Sequence, residues 1–353
     1  MTAPRPDWTF ASDNTAGICP EALAALTAAN TDHAAGYGGD PRTAEARQSL
    51  RTLFGTDCEV FFVFNGTAAN ALALAAACRS YQGVFCHESA HLQVDECGAV
   101  EHFTGGAKII PLAGAGAKLA PDTVAAALGR RSDVHFPRPG ALSLTQATEF
   151  GTLYTPDETG ALGEVARRHG ITLHMDGARF ANAAAAFAPQ GLTPADLTWR
   201  VGVDVLSLGG TKNGMLGCEA VVFFNRELAR DFSYRVKQSG QLASKQRYAC
   251  AQWTAMLRDG AWLRHAAHAN AMARRLAAGL AQLPGTRLLC PVEANGVFVR
   301  LSAAHAAGLE ARGWQFLKFI GDDGYRFMCG WDTKPAAVDA LLADFAAIAG
   351  RCK

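Results

Sequence analysis

The chain has 353 residues, of which 49% are hydrophobic and 18% charged, and its formal net charge is +1. This composition excludes a disordered polyelectrolyte, and the near-neutral charge offers no basic surface for nucleic acid. The length predicts two domains, or one large domain with an appendage. The apolar stretches are short and interrupted by Gly, Asn or charge, so we expect no membrane span.

Ten cysteines are scattered along the chain without a Cys-x-x-Cys pair or a repeated spacing. That pattern argues against a structural zinc site and against a disulfide framework. The first residues also lack the apolar core of a secretion signal. We therefore expect a reduced, cytoplasmic protein.

Apolar runs alternate with amphipathic stretches through the first two-thirds of the chain. The patterns predict strands over 59–64, 83–86, 107–111, 140–145, 171–175 and 203–208, and helices over 68–79 and 157–169. A further apolar run, 218–224, can pair with the strand before it. Strands that alternate with helices predict a mostly parallel sheet covered by helices on both faces.

The pattern of predicted helices and strands changes near residue 250. A long helix is predicted over 253–283, followed by strands over 297–301, 314–319 and 325–329 and a closing helix over 334–349. We therefore expect a large domain over residues 1–250, including an N-terminal segment, and a small α+β domain over 251–353.

A lysine and an acid follow two neighbouring predicted strands. Lys212 comes after the doublet Gly209-Gly210, and Asp176 ends the strand pattern that begins at Ile171. Such a pair suits pyridoxal 5'-phosphate (PLP), because the lysine forms its Schiff base and the acid keeps its pyridine nitrogen protonated. Each residue alone is more often an ordinary loop residue, but their order and matching contexts together favour a PLP site.

A phosphate-binding turn is predicted where the strand over 59–64 meets the next helix. Gly66 lets the backbone approach a ligand, Thr67 supplies a hydroxyl, and the free amides of a helix start favour an anion. The same residues could form a plain helix cap. With Asp176 and Lys212 downstream, we expect a phosphate site to which Thr211 adds another hydroxyl.

The segment from His87 to His91 matches the zinc-protease pattern His-Glu-x-x-His. The segment follows a strand pattern directly, so we expect His87 in a turn rather than on a helix. Positions 94 and 97 are Val and Cys, so no third histidine follows at the usual spacing. Zinc would also leave Asp176 and Lys212 unexplained, and we expect no metal.

Eight stretches then occur in an order that resembles the L-threonine aldolases, PLP enzymes of fold type I in the aspartate aminotransferase superfamily. The likeness runs from Ser12 to Asp332 and is greatest to the bacterial low-specificity, phenylserine-type enzymes. The matching stretches are Phe10–Asn14, Tyr37–Asp40, Phe64–Asn70, His91–Gly98, His135–Arg138, His174–Arg179, Gly209–Gly214 and Arg326–Cys329.

The resemblance implies an α/β fold of type I and a homo-oligomer, dimer or tetramer, with composite active sites. It implies an aldehyde-lyase that reversibly splits L-threonine, L-allo-threonine and related L-β-hydroxy-α-amino acids into glycine and an aldehyde. The residues alone leave open an aminotransferase, a β-eliminating lyase or a non-catalytic protein of the same fold. Only the resemblance selects the aldolase.

The family's roles transfer to individual residues of this chain. Lys212 would form the Schiff base, Asp176 would face the ring nitrogen, and His91 would stack on the ring. Phosphate contacts are expected from Gly66, Thr67 and Thr211. Arg179 is expected at the cofactor and, with Ser12 and Arg326, at the substrate carboxylate.

Further expectations concern the neighbouring subunit and the reacting hydroxyl. The resemblance implies that Tyr37 reaches a neighbouring subunit's site, and that Lys245 or Arg247 reaches its phosphate. His91 is the first candidate for the base at the substrate hydroxyl, and Glu96 is the second. Thr148 stands where many relatives carry a histidine near that hydroxyl, which predicts weak discrimination at Cβ.

Overall fold

The computed structural model describes residues 9–349, and two β-sheets organise them. The larger sheet has the order β1-β7-β6-β5-β4-β2-β3. Its strands are β1 (Glu59–Val63), β2 (Gln82–His87), β3 (Lys108–Leu112), β4 (Arg138–Thr145), β5 (Thr172–Gly177), β6 (Val205–Leu208) and β7 (Glu219–Phe223).

Strand direction in this sheet is parallel except at β7. Strands β3, β2, β4, β5 and β6 pair in parallel, whereas β7 is antiparallel to both β6 and β1. It follows that β1 points the same way as β6. Six carboxyl ends therefore share one edge of the sheet, and ligands bind at such an edge in open α/β sheets.

Helices cover this sheet, which agrees with the alternating sequence pattern. The helices before residue 240 are α1 (Pro20–Ala29), α2 (Pro41–Phe54), α3 (Gly66–Ala77), α4 (His91–Val94), α5 (Ala99–Thr104), α6 (Pro121–Leu128), α7 (Pro156–His169), α8 (Phe180–Phe187) and α9 (Phe232–Gln238). The start of α7 illustrates the local causes. Thr155 and Glu158 form a reciprocal capping box around Pro156 at the first helical position.

The second sheet is antiparallel and has the order β10-β11-β9-β8. Its strands are β8 (Arg287–Leu288), β9 (Gly296–Arg300), β10 (Leu317–Ile320) and β11 (Gly324–Met328). The accompanying helices are α10 (Arg247–Arg258), α11 (Ala261–Leu280), α12 (Ala303–Glu310) and α13 (Pro335–Ala349).

Two apolar cores meet along α11. Trp262 and Ala266, near its start, lie in the core of the large sheet, whereas Leu276 and Leu280 lie in the core of the small one. Phe10 from the N-terminal segment also enters the small core, and its backbone bonds to Gln315 and Met328.

The structure corrects three sequence-based expectations about elements. The helix predicted over 253–283 is two helices, because Gly260 adopts a left-handed φ of +67° between α10 and α11. The strand predicted over 314–319 begins only at Leu317. His87 is the last residue of β2 rather than part of a turn.

Among residues 9–349, no helix is both long enough and apolar enough to cross a bilayer.

Candidate active site

The predicted site residues meet at the shared carboxyl edge of the large sheet. Gly66 follows β1, Asp176 lies near the end of β5, and Lys212 follows β6. Because β5 and β6 are paired neighbours, Asp176 and Lys212 come from adjacent strand ends. His91 starts α4, four residues after β2 ends.

The turn that carries Lys212 requires both of its glycines. A Cβ atom at Gly209 would lie 2.3 Å from the carbonyl oxygen of Ala178, and one at Gly210 would lie 2.2 Å from that of Cys218. The buried carboxylate of Glu219 then accepts the backbone N–H of Gly210 at 2.6 Å. Close packing around the two glycines and the hydrogen bond to Glu219 together hold this turn in place.

The amine of Lys212 is suited to act as a nucleophile. Burial and the nearby charge of Arg179 lower the pKa of Lys212, against the opposing effect of Asp13 and Asp176. Among the described residues, no side chain forms a hydrogen bond with this amine. A lysine with a depressed pKa and no hydrogen-bond partner fits the requirements of a Schiff-base lysine.

Asp176 is buried and its carboxylate is fully oriented. One oxygen accepts the backbone N–H of Ala178 at 3.0 Å, and the other accepts the side-chain N–H of Asn70 at 2.9 Å. Fixed oxygens of this kind leave the remaining lone pairs available for a protonated ring nitrogen.

His91 belongs to the same hydrogen-bonded cluster. Its Nδ1 lies 2.9 Å from an Oε1 of Glu96 that also accepts an N–H of Asn70 at 2.8 Å. The bond to Glu96 raises the pKa of His91, against burial, which lowers it. Glu96, the second candidate for the base, has no exposed side-chain surface. The contact of Glu96 on the side of the site is therefore His91.

The start of α3 has the features of a phosphate site. Asn65 caps the helix by accepting the N–H of Ala68. Within residues 9–349, the amides of Gly66 and Thr67 have no hydrogen-bond acceptor. A Cβ at Gly66 would meet no atom within 4 Å, so an anion can approach its backbone. Thr211 is only partly buried, and its hydroxyl accepts a backbone N–H.

Arg179 forms a buried ion pair with Asp13. Two guanidinium nitrogens reach the two carboxylate oxygens at 2.7 and 2.9 Å, and Asn295 donates to the same carboxylate at 3.0 Å. Burial favours a higher pKa for Asp13, but Arg179 outweighs it and lowers that pKa to about 2. Ser12, next to Asp13, caps the first turn by accepting the N–H of Asn14.

Arg326 combines burial with an unmatched donor. Its Nη2 bonds to the carbonyl of Ala11 at 3.1 Å and its guanidinium lies 4.6 Å from the ring centroid of Phe319, yet its buried Nε has no partner among the described residues. Burial, and next the charge of Arg179, lower the pKa of Arg326 to about 10. Two close guanidinium groups favour an anion between them, and a substrate carboxylate fits.

The hydroxyl of Thr148, which is expected near the substrate hydroxyl, bonds within its own loop. Only 2% of its surface is exposed. Its hydroxyl bonds to that of Thr152 at 2.8 Å and accepts the backbone N–H groups of Phe150 and Thr152. The side chain therefore secures its own loop.

The next residue, Glu149, accepts the backbone N–H of His91 at 2.9 Å, and burial raises the pKa of Glu149 to about 7.

Tyr37 lies on the protein surface. Among the described residues, its ring makes no contact with a ring of the site residues. It is 57% exposed, has a left-handed φ of +57°, and its ring lies 5.0 Å from the amine of Lys237. Lys245 is exposed, and Arg247 bonds to the carbonyl of Asp32. Their expected reach into a neighbouring subunit stays a prediction.

The two histidines of the zinc-protease pattern are engaged separately. His87 bonds to the hydroxyl of Ser89 at 2.7 Å and to the carbonyl of Gly114 at 2.9 Å, and His91 bonds to Glu96. Elsewhere among residues 9–349, Cys19, Glu21 and His265 bring potential metal-binding atoms within 4.8 Å of one another. Glu21 and His265 already form an ion pair at 3.0 Å, which explains that proximity.

Sequence reasoning missed the roles of three buried polar residues. Asn70 lies one helical turn after Gly66 in α3. Asp13 directly follows Ser12, and Glu219 begins β7, the strand after Lys212. Their positions beside recognised motif residues are a weak signal. Their partners are far away in the chain, so their roles emerge only from the folded structure.

Known proteins match this chain over nearly its whole length. The chain matches the beta-eliminating lyase family over residues 9–304. It is 53% identical to the low specificity L-threonine aldolase of Pseudomonas sp. (strain NCIMB 10558), covering 96% of this chain and 97% of that one. It is 54% identical to the low specificity L-threonine aldolase of Pseudomonas aeruginosa, covering 97% and 98%.

A solved structure shares the whole architecture. The threonine aldolase of Leishmania major superposes with a TM-score of 0.90 at 28% identity, covering 97% of this chain and 99% of that one.

Proposed function

Because this chain belongs to the threonine aldolases within the beta-eliminating lyase family, we propose that it is a PLP-dependent aldehyde-lyase. It splits L-threonine, L-allo-threonine and related L-β-hydroxy-α-amino acids reversibly into glycine and an aldehyde. The observation that carries the proposal is the partly buried Lys212 amine, which has no hydrogen-bond partner among residues 9–349 and follows the strand next to that of Asp176. The chain is more than half identical to two L-threonine aldolases.

The residues of the site fit PLP. Gly66 and Thr67 would bind the phosphate at the start of α3, with Thr211 adding a hydroxyl. His91 would lie against the ring face, Asp176 would hold a proton at the ring nitrogen, and Lys212 would attach the cofactor. The chemistry that PLP supplies when bound is an electron sink for the pair released at Cα when the Cα–Cβ bond breaks.

The two arginines orient the substrate. Among the described residues, the Nε of Arg326 has no partner, and Arg179 has one guanidinium nitrogen beyond the two that bind Asp13. Together with Ser12 they would hold the α-carboxylate on one side of the site. Fixing the carboxylate restricts reaction to L-amino acids, because a D-amino acid would exchange the positions of its hydrogen and side chain.

His91 would take the proton of the substrate hydroxyl. Its Nδ1 is committed to Glu96, so Nε2 is the nitrogen that exchanges a proton. Since the bond to Glu96 raises the pKa of His91, the imidazole is a stronger base than an isolated one. The proton that leaves the hydroxyl is then available for return at Cα, which completes glycine.

The direct experiment is to locate the attachment lysine. Borohydride treatment of the yellow PLP-loaded protein, followed by peptide mass spectrometry, should place the reduced adduct on Lys212. Lys212→Ala should have no turnover with L-threonine, while Lys318→Ala, at an exposed lysine, should behave as the wild type. An adduct on another lysine would overturn the assignment.

Product analysis separates the aldolase from other PLP enzymes. Glycine and an aldehyde from L-threonine or L-phenylserine support the proposal. A 2-oxo acid formed from L-alanine without aldehyde release would identify an aminotransferase instead.

We also propose a cytoplasmic homo-oligomer with composite sites. Three large apolar side chains are exposed around the phosphate turn and the N-terminal region, Tyr37 at 57%, Phe64 at 67% and Leu216 at 63%, and such exposure is typical of an interface. The nine described cysteines are all free thiols, as suits a reducing compartment.

A further inference from the structure

One buried amide touches both acids of the site. Asn70, 2% exposed, donates one N–H to Glu96 at 2.8 Å and the other to Asp176 at 2.9 Å. Glu96 has no exposed side-chain surface, and Asp176 is 3% exposed. The two carboxyl groups are therefore held side by side, out of water, by a single side chain.

Two buried carboxylates in this position repel each other, and one of them would ordinarily take up a proton. Burial does raise the pKa of Glu96, and Asp176 adds to that effect, whereas the bonds from His91 and Asn70 oppose it. The second oxygen of Glu96 has no hydrogen-bond partner among the described residues. Among residues 9–349, the donors to Glu96 are therefore His91 and Asn70, and loss of the Asn70 amide leaves His91.

We propose that Asn70 is a positioning residue that joins His91, Glu96 and Asp176 into one hydrogen-bonded unit, so that its loss changes the protonation of His91, to which it is not bonded. The assignment of Asp176 to the ring nitrogen rests on the proposed function, but the hydrogen-bonded unit does not. Without Asn70, the pKa of Glu96 rises further because one bond that opposes its protonation is lost, and the charged form of His91 is stabilised less.

Several charged groups surround His91, and Asn70 contacts two of them, Glu96 and Asp176. They come from four segments of the fold: Glu96 after α4, Glu149 after β4, Asp176 in β5 and Lys212 after β6. A change at Asn70 therefore acts on His91 through the two acids that Asn70 contacts: Glu96, which is hydrogen-bonded to His91, and Asp176, which acts by its charge.

The test is an NMR titration of His91 in the full-length protein, labelled at histidine and measured with and without cofactor. The variants Asn70→Leu and Asn70→Ser both remove the two amide donors. We expect the His91 pKa to fall by about one unit or more in each, as loss of a charged hydrogen-bond acceptor implies. The acid limb of the kcat/KM profile should move to lower pH in the same variants.

A matched control exists in α8. Asn182 is also a buried amide, and it bonds to Asn270 at 3.0 Å, away from the acids. Asn182→Leu should leave the titration of His91 unchanged. If it lowers the His91 pKa as much as Asn70→Leu does, the effect is general damage to packing and the inference fails.

The two proposals fail in different ways. A His91 pKa within about 0.3 of the wild-type value in folded Asn70→Leu and Asn70→Ser would overturn the role of Asn70. Wild-type protein that releases no aldehyde from L-threonine would overturn the proposed function, while the titration would still test the hydrogen-bonded unit.

Discussion

Asp176 shows how single hydrogen bonds prepare a site for one ligand atom. Both carboxylate oxygens have a fixed N–H donor, from Ala178 and Asn70. The group is thus oriented before any cofactor binds, and its negative charge is what a protonated pyridine nitrogen requires.

Replacing that charge should slow the reaction far more than it weakens binding. Asp176→Asn should still bind PLP, because the phosphate turn is unchanged, but its kcat with L-threonine should drop roughly a hundredfold or more, about 2.7 kcal/mol. Steady-state kinetics and a cofactor titration measure the two effects. A kcat within a few-fold of wild type would exclude the assigned role.

Thr148 has a structural role, although it stands where many relatives carry a histidine. Thr148→Val removes a buried hydroxyl with several partners and should destabilise the protein by about 1–3 kcal/mol in denaturant unfolding. The ratio of kcat/KM for L-threonine and L-allo-threonine should stay the same, since the side chain does not reach the site. A tenfold change in that ratio would show that Thr148 contacts the substrate.

At the scale of elements, the central strands carry polar side chains as well as apolar ones. His174 of β5 is fully buried between Ser143 of β4 and Ser207 of β6, at 2.8 and 3.0 Å. Burial lowers the pKa of His174 to about 4, from an ordinary value of 6.5. The imidazole is therefore neutral in the folded protein at every pH above that value.

This histidine makes the strand sensitive to acid. Below pH 6.5 the unfolded chain binds a proton that the folded protein refuses until about pH 4, so stability falls as the pH drops through that window, by about 3 kcal/mol. His174→Gln lacks this titration. The difference in unfolding free energy between wild type and variant should shrink by that amount from pH 7 to pH 4. If the unfolding free energies of the two proteins change in parallel with pH, the effect is refuted.

At the scale of the molecule, α11 links the two cores, and the N-terminal segment connects the small core to the site. Phe10 is anchored to Gln315 and Met328, and three residues later Asp13 binds Arg179. The two arginines proposed to bind the substrate thus depend on both cores, because Arg326 lies in β11 and Arg179 precedes α8.

Composite sites predict complementation between inactive subunits. Tyr37→Ala and Lys212→Ala should each be inactive alone. After subunit exchange, a mixed dimer contains one site with both native residues, so about a quarter of the sites should recover in an equal mixture. Subunit exchange proven by mass spectrometry without any recovery would place Tyr37 in its own subunit's site.

Local sequence determined most of the elements and the centre of the site. Short apolar runs such as Glu59–Val63 form strands because a run of this length is typical of a strand, and pairing with neighbouring strands satisfies its backbone. The turn at Lys212 follows from Gly209 and Gly210, where no side chain fits. Lys212 and Asp176 could be located because residues that follow parallel strands share one edge of the sheet.

Tertiary structure decided what those patterns leave undetermined. The helix break at Gly260 depends on packing, since a helical pattern with one glycine can continue or stop. The direction of the Thr148 hydroxyl depends on how its loop folds back. The bonds from Asn70 to Asp176 and from Arg179 to Asp13 join residues 106 and 166 positions apart. Periodicity describes which face of an element is buried, but the folded backbone alone determines which buried polar group meets which partner.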